Sequence, residues 1–100
     1  MGLLEARVDK IEAFEQEFVV ANRLGIHARV AAQIVKVTSQ YDSEIWIAKG
    51  GSKANGKSIL DVMTLDCPLG TRVQVSAIGS DAMEALNALA ALFQTKFGEP

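Results

Sequence analysis

The feature that most constrains this chain is a hydrophobic period that switches repeatedly between two residues and about 3.6. Between Arg72 and Ile78, the apolar Val73, Val75 and Ala77 alternate with Arg72, Gln74 and Ser76, the pattern of a strand with one buried face. Directly afterwards, Ala82, Leu86, Leu89, Phe93 and Phe97 recur at helical spacing across Asp81 to Phe97, with Ser80 or Asp81 placed to cap the start and Gly98 the end. Upstream the same switching continues. Glu17 to Asn22 reads as a strand, Gly25 breaks it, and Ala28 to Ser39 reads as a helix with Ala31, Ile34, Val35 and Thr38 on one face. After a turn at Tyr41 to Ser43, Glu44 to Lys49 reads as a strand closed by Gly50-Gly51. Ser52 to Ala54 pairs back on it as a hairpin that ends at Asn55-Gly56. Ser58 and Asp61 have the S-x-x-D form of a helix start, and that short helix runs to about Leu65 before a loop at Pro68 and Gly70.

The resulting order is strand, helix, strand, strand, helix, strand, helix. It predicts an α+β open sandwich, with three helices covering one face of a four-stranded, mostly antiparallel sheet. A further helix is expected ahead of it, from Leu3 to Phe14, with Leu4, Val8 and Ile11 on one stripe. This divides the chain into a helical extension, residues 1–15, and one domain, residues 16–98. The extension is read equally as a docking or dimerising appendage and as a cap over the domain.

Length and composition narrow the function. A chain of 100 residues with 49% hydrophobic content suits one domain with a genuine core. The single cysteine, Cys67, excludes an internal disulfide and reads as a small loop or core filler; with a single histidine it also rules against an all-protein metal site. No apolar run approaches a membrane span and no signal pattern opens the chain, so a cytoplasmic domain without membrane insertion is expected. Trp46 alone is too little aromatic surface for a nucleic-acid platform, and core or edge packing is expected for it. The net charge is −2, yet Arg23, Arg29, Lys36, Lys49, Lys53 and Lys57 face only Asp42 and Glu44 between Asn22 and Lys57. A basic middle on an acidic chain suits an anion or an acidic partner, although ordinary solvated charge would look the same.

The lone histidine gives that anion a place. In Gly25-Ile26-His27-Ala28-Arg29 it stands where a strand-to-helix connection becomes a helix. A helix start leaves backbone N–H groups without partners and carries partial positive charge, which favours a phosphoryl group. Gly25 permits close approach of backbone, and Arg29 can add a charge-assisted fork to phosphate oxygens. The competing reading is that His27 merely caps the helix. Nothing in the sequence supplies a second histidine, a G-x-S-x-G turn or a cysteine–histidine pairing, which argues against hydrolase chemistry. One nucleophile with anion donors accepts and releases a group; it does not make a self-contained enzyme.

At these residues the chain resembles a known family. Gly25-Ile-His-Ala-Arg-Val-Ala-Ala32 resembles the histidine signature of HPr, the phosphocarrier of the bacterial phosphotransferase system, and Asn55-Gly-Lys-Ser-Ile-Leu-Asp-Val-Met-Thr-Leu65 resembles the family's serine region. The resemblance spans about residues 16–97 and implies the family's βαββαβα open-faced sandwich. It implies that His27 is phosphorylated on Nδ1 by phospho-enzyme I, drawing on phosphoenolpyruvate, and passes the group to an enzyme IIA domain. Arg29 would assist, the backbone N–H groups of Ala28 and Arg29 would hold the phosphate, and no cofactor would reside in the carrier. Val30 stands where sugar-transport members usually have proline. With Arg23-Leu24, Glu44-Ile-Trp46 and the ending Leu92 to Gly98, this looks more like the nitrogen-related branch, which often serves regulation more than sugar uptake.

Ser58 reads as an N-cap, and the resemblance adds a second role, since HPr kinase/phosphorylase modifies the matching serine in some members. Ile59, Leu60, Val62 and Met63 are too many apolar residues for two helical turns to bury, so Ile59 is expected in the core. Leu60 and Met63 can stay exposed beside Ile26, as a docking surface rimmed by Arg29, Lys36 and Lys57, with core packing an equal reading for Met63. A rival to the carrier follows: a regulatory module that transfers nothing, binds through this patch and is switched at Ser58.

Overall fold

Four strands form one sheet in this computed structural model, which describes residues 12–100. They are β1 (Ala13–Val19), β2 (Glu44–Lys49), β3 (Ser52–Asn55) and β4 (Arg72–Ile78), in the spatial order β1-β4-β2-β3 with every neighbouring pair antiparallel. Because β1 and β2 both run against β4, they run parallel to each other, and a crossover must join them. Helix α1 (Ala28–Thr38) makes that crossing, α2 (Ile59–Met63) lies between β3 and β4, and α3 (Ala82–Gln94) follows β4.

Register decides which face is covered. Phe18 stands opposite Val73, Ile47 opposite both Val75 and Ala54, and Ile45 opposite Ala77. These inward residues share one buried cluster with Val30, Ala31 and Ile34 of α1, Val62 of α2 and Leu86, Leu89 and Phe93 of α3. The expected α+β sandwich is therefore present, with its three helices on one side of the sheet. Strand alternation then sends Trp46, between buried Ile45 and Ile47, to the other side. There it lies half-buried beneath the Lys53 ammonium, 4.6 Å from the ring centroid.

The limits of β1 and the end of α3 differ from the sequence reading, and β1 stops at Val19 where the strand was expected to reach Asn22. Ala13 and Phe14 belong to β1, not to a leading helix: Phe14 pairs with Ala77 and packs on the core. Phe14, Phe18 and Val20 occupy same-face positions of an extended chain, a pattern that the helical stripe of Leu4, Val8 and Ile11 obscured. The rest of the expected helix, from Leu3 to Ile11, lies outside the described residues. At the other end, α3 stops at Gln94, and Phe97 is not on it. Lys96, Phe97 and Gly98 take φ values of 54°, 56° and 73°, so the chain reverses. Phe97 is buried all the same, edge-on to Phe93 at 4.9 Å between ring centroids. Helical spacing and this turn deliver Phe97 to the same core, which is why periodicity did not separate them. On α1, Val30 is buried where Val35 was expected, and Val35 is partly exposed.

Asp81 occupies the N-cap position of α3 without capping it. Its carboxylate accepts instead from the N–H groups of Asp42 (2.8 Å) and Ser43 (2.9 Å) and from the Ser43 hydroxyl, tying the turn before β2 to the start of α3. The Ser43 hydroxyl, helped by those backbone donors, holds the Asp81 carboxyl below the usual aspartate range. A carboxyl depressed in the folded state stabilises above its unfolded pKa, about 3.9, and loses that contribution as pH falls through the lower folded value. Urea unfolding of the parent is therefore expected to show stability falling through this acid window, and Asp81→Ala to flatten that limb. An unchanged limb would show that the turn does not depend on this carboxylate. Among the described residues, no helix is long and apolar enough to cross a membrane.

Candidate functional site

His27 is the N-cap residue of α1, with extended backbone at φ −90° and ψ −177°. The loop that delivers it is bound tightly to the segment after α2. The Ile26 N–H donates to the Cys67 carbonyl at 2.9 Å, and Gly25 sits against that same carbonyl at φ +72°. A Cβ on Gly25 would lie 2.5 Å from the Cys67 oxygen, so only glycine allows this approach. The His27 carbonyl then accepts the first helical bond, from the Ala31 N–H at 2.8 Å.

The His27 ring does not cap the helix. Among the described residues no side chain bonds this end, the first turn holds no acidic residue, and Ala28 and Arg29 are exposed. Their N–H groups precede the first intrahelical donor, so the helix start is open to an anion. The imidazole is 29% exposed and turns to Glu99, whose Oε1 and Oε2 lie 2.9 and 3.1 Å from Nε2. Arg29 donates to Glu99 Oε2 at 3.3 Å and Asn22 Nδ2 to Oε1 at 2.9 Å. These donors, the His27 bond foremost and then Asn22, hold the Glu99 carboxyl below the usual glutamate range. Arg23, Leu24, Arg29, Glu99 and Pro100 line a small depression.

Sequence reasoning singled out His27 and Arg29 but not Glu99 and Asn22, which the fold adds beside them. Glu99 is 72 residues from His27 and belongs to no motif; only the turn at Phe97 and Gly98 brings it back. Asn22 carried one weak signal, a polar residue at the end of a strand where the chain enters the core. It is fully buried, and its Nδ2 also donates to the Gly25 carbonyl at 2.7 Å.

The expected docking surface is rearranged. Ile26 is a core residue, 8% exposed, because its N–H bond to Cys67 draws it under the loop. Ile59, expected in the core, is 40% exposed: α2 has five residues and turns only Val62 inward. Leu60 is exposed as expected, Met63 takes the exposed one of its two readings, and Leu24 and Leu69 are exposed apolar residues as well. Of the expected basic rim, only Arg29 is joined to the ring's hydrogen bonds. Lys36 sits in the last turn of α1, about 13 Å along the helix from His27. Lys57 donates its ammonium to the Tyr41 carbonyl at 2.6 Å. Ser58 caps α2 as expected, its hydroxyl oxygen accepting from the Asp61 N–H at 3.2 Å, a cap typically worth about 1 kcal/mol. Cys67 is buried, in keeping with its reading as a filler, and burial pushes its thiol pKa up. Among the described residues no cluster of histidine, cysteine and acidic side chains could hold a metal ion.

Fold and site together define a small open-faced α+β domain that presents one histidine at an uncapped helix start. Residues 14–95 match the family described as the PTS HPr component phosphorylation site, and the chain belongs to that phosphocarrier family. It is similar to phosphocarrier protein HPr of Neisseria meningitidis, 39% identical over 85 residues that cover 85% of this chain and 96% of the relative. It is also similar to phosphocarrier protein NPr of Shewanella violacea, 36% identical, covering 85% and 93%. Among solved structures, an HPr crystal structure from Thermoanaerobacter tengcongensis superimposes with a TM-score of 0.84 at 41% identity, over 87% of this chain and 98% of that one.

Proposed function

We propose that this chain carries a phosphoryl group on His27, taking it from phospho-enzyme I and handing it to an enzyme IIA domain of the phosphotransferase system. The observation that carries this reading is a part-exposed imidazole beside a helix start that no side chain caps. The ring is the nucleophile, and the Ala28 and Arg29 N–H groups with the Arg29 guanidinium receive the phosphate charge. Exposed Leu60 and Met63 supply an apolar contact for the two partners. One nucleophile beside anion donors accepts a group and hands it on, so we read the carrier as a relay between enzymes of the same cytoplasmic system.

The test is incubation with enzyme I, phosphoenolpyruvate and magnesium, followed by intact mass and fragment mapping. One acid-labile phosphoryl group on the fragment containing His27 is expected. Absence of label, or label elsewhere, overturns the reading.

A regulatory role for Ser58 is favoured by its position alone. It is half-buried at a helix start, where added phosphate meets unpaired N–H groups, and it neighbours exposed Ile59 and Leu60. A kinase of the HPr kinase/phosphorylase type would be its modifier.

A further inference from the structure

The hydrogen bonds around His27 decide which ring nitrogen is left free. Both Glu99 oxygens address Nε2, at 2.9 and 3.1 Å. A carboxylate ionised at neutral pH only accepts, so Nε2 carries the proton and Nδ1 of the neutral ring keeps its lone pair. Glu99 is itself held in place. Asn22 and Arg29 each donate to it, and beyond it the Pro100 carbonyl accepts from the Arg23 N–H at 2.8 Å. Two acceptors, Glu99 Oε1 and the Gly25 carbonyl, fix the orientation of the buried Asn22 amide. The loop before α1 and the turn after α3 thus form one clamp on the far side of the imidazole.

We propose that Glu99 is a positioning residue that holds the His27 ring in its Nε2–H form and so presents Nδ1 to the incoming phosphoryl group. This rests on the carrier reading above. In the transfer step the Nδ1 lone pair attacks the phosphorus of a phosphohistidine donor. The donor's N–P bond breaks, its electron pair returns to the donor nitrogen, and the Nδ1–P bond forms. Nε2 keeps its proton throughout, so the ring becomes cationic while it bears the phosphoryl group. The Glu99 carboxylate facing Nε2–H offsets that charge without taking the proton.

The test uses the full chain with 15N-labelled imidazole, in the parent, Glu99→Ala and Glu99→Gln. Ring nitrogen shifts are read at a pH where the ring is neutral, and the initial rate of phosphorylation by enzyme I and phosphoenolpyruvate is measured on the same samples. The parent is expected in the Nε2–H form. Glu99→Ala should give a mixture of tautomers and a rate about tenfold lower, the scale on which loss of an orienting partner acts. Glu99→Gln should keep the tautomer through its amide oxygen and recover part of the rate. A parent with the proton on Nδ1, or Glu99→Ala with unchanged tautomer and rate, overturns the proposal. The nitrogen shifts need no donor. A parent with the expected tautomer that accepts no phosphoryl group would therefore identify the carrier reading as the part that failed.

Discussion

Replacing His27 by alanine is expected to abolish phosphoryl acceptance while leaving the domain nearly as stable as the parent. Acceptance is lost because the chain has one histidine, and among the described residues no other side chain stands at an open helix start with an arginine beside it. Stability is kept because the ring is part-exposed and caps nothing. The backbone bonds of residue 27, from its N–H to the Gly25 carbonyl and from the Ala31 N–H to its carbonyl, survive the change. What goes is one side-chain contact with Glu99, and such bonds contribute about 1 kcal/mol. Glu99 retains Asn22 and Arg29 as donors, so its charge is not stranded. Intact mass after treatment with enzyme I and phosphoenolpyruvate, with urea unfolding of the same protein, checks both halves. Full labelling of the alanine variant would place the nucleophile elsewhere. A collapse in stability would mean that the ring is structural after all.

Phe93→Ala is expected to cost about 3–5 kcal/mol, the range for deleting a buried aromatic ring. Against a typical domain stability of about 5–15 kcal/mol, that leaves a marginal protein. Phe93 is 4% exposed, stacked on Phe18 of β1 at 4.7 Å and edge-on to Phe97 at 4.9 Å. Its removal opens a cavity between an edge strand of the sheet and the turn that carries Glu99. Two measurements follow: a large drop in the urea midpoint, and a shift of the His27 ring resonances in the variant that remains folded. Met83→Ala on the exposed side of α3 serves as the reference, with a change within about 0.5 kcal/mol. Equal losses at both positions would show that the aromatic trio does not anchor this end of the domain.

The elements most legible in the sequence were those with a strong single period. β4 runs from Arg72 to Ile78 as expected, with Val73, Val75 and Ala77 buried, because a strand in a sheet with one covered and one solvated face alternates cleanly. The hairpin at Gly50-Gly51 and the capped start of α2 were equally plain, since turn and cap residues act over a few positions. Boundaries where two periods overlap were not. Phe14 fits a helical stripe and a strand face alike, and Phe97 fits the end of α3 and a reversing turn alike. In both places the core, not local spacing, chose.

The site divides the same way. His27, Arg29 and the helix start between them lie within a few residues, so local backbone preference was enough to bring them together, and the sequence alone pointed to the site proposed for the phosphoryl group. The sequence also showed that α2 carries more apolar residues than it can bury. Which of them faces solvent depended on the roll of a five-residue helix against the sheet, and Ile26 was drawn inward by a carbonyl 41 positions away, at Cys67. The partner of the histidine lay further off still. Glu99 meets His27 only because three successive positive φ values reverse the chain and Phe97 packs into the core at that turn. Contacts between distant segments carry no periodic trace, since they are set by how packed elements place their ends. For that reason the proposed nucleophile was written in the motif, and the carboxylate that meets it was decided by the fold.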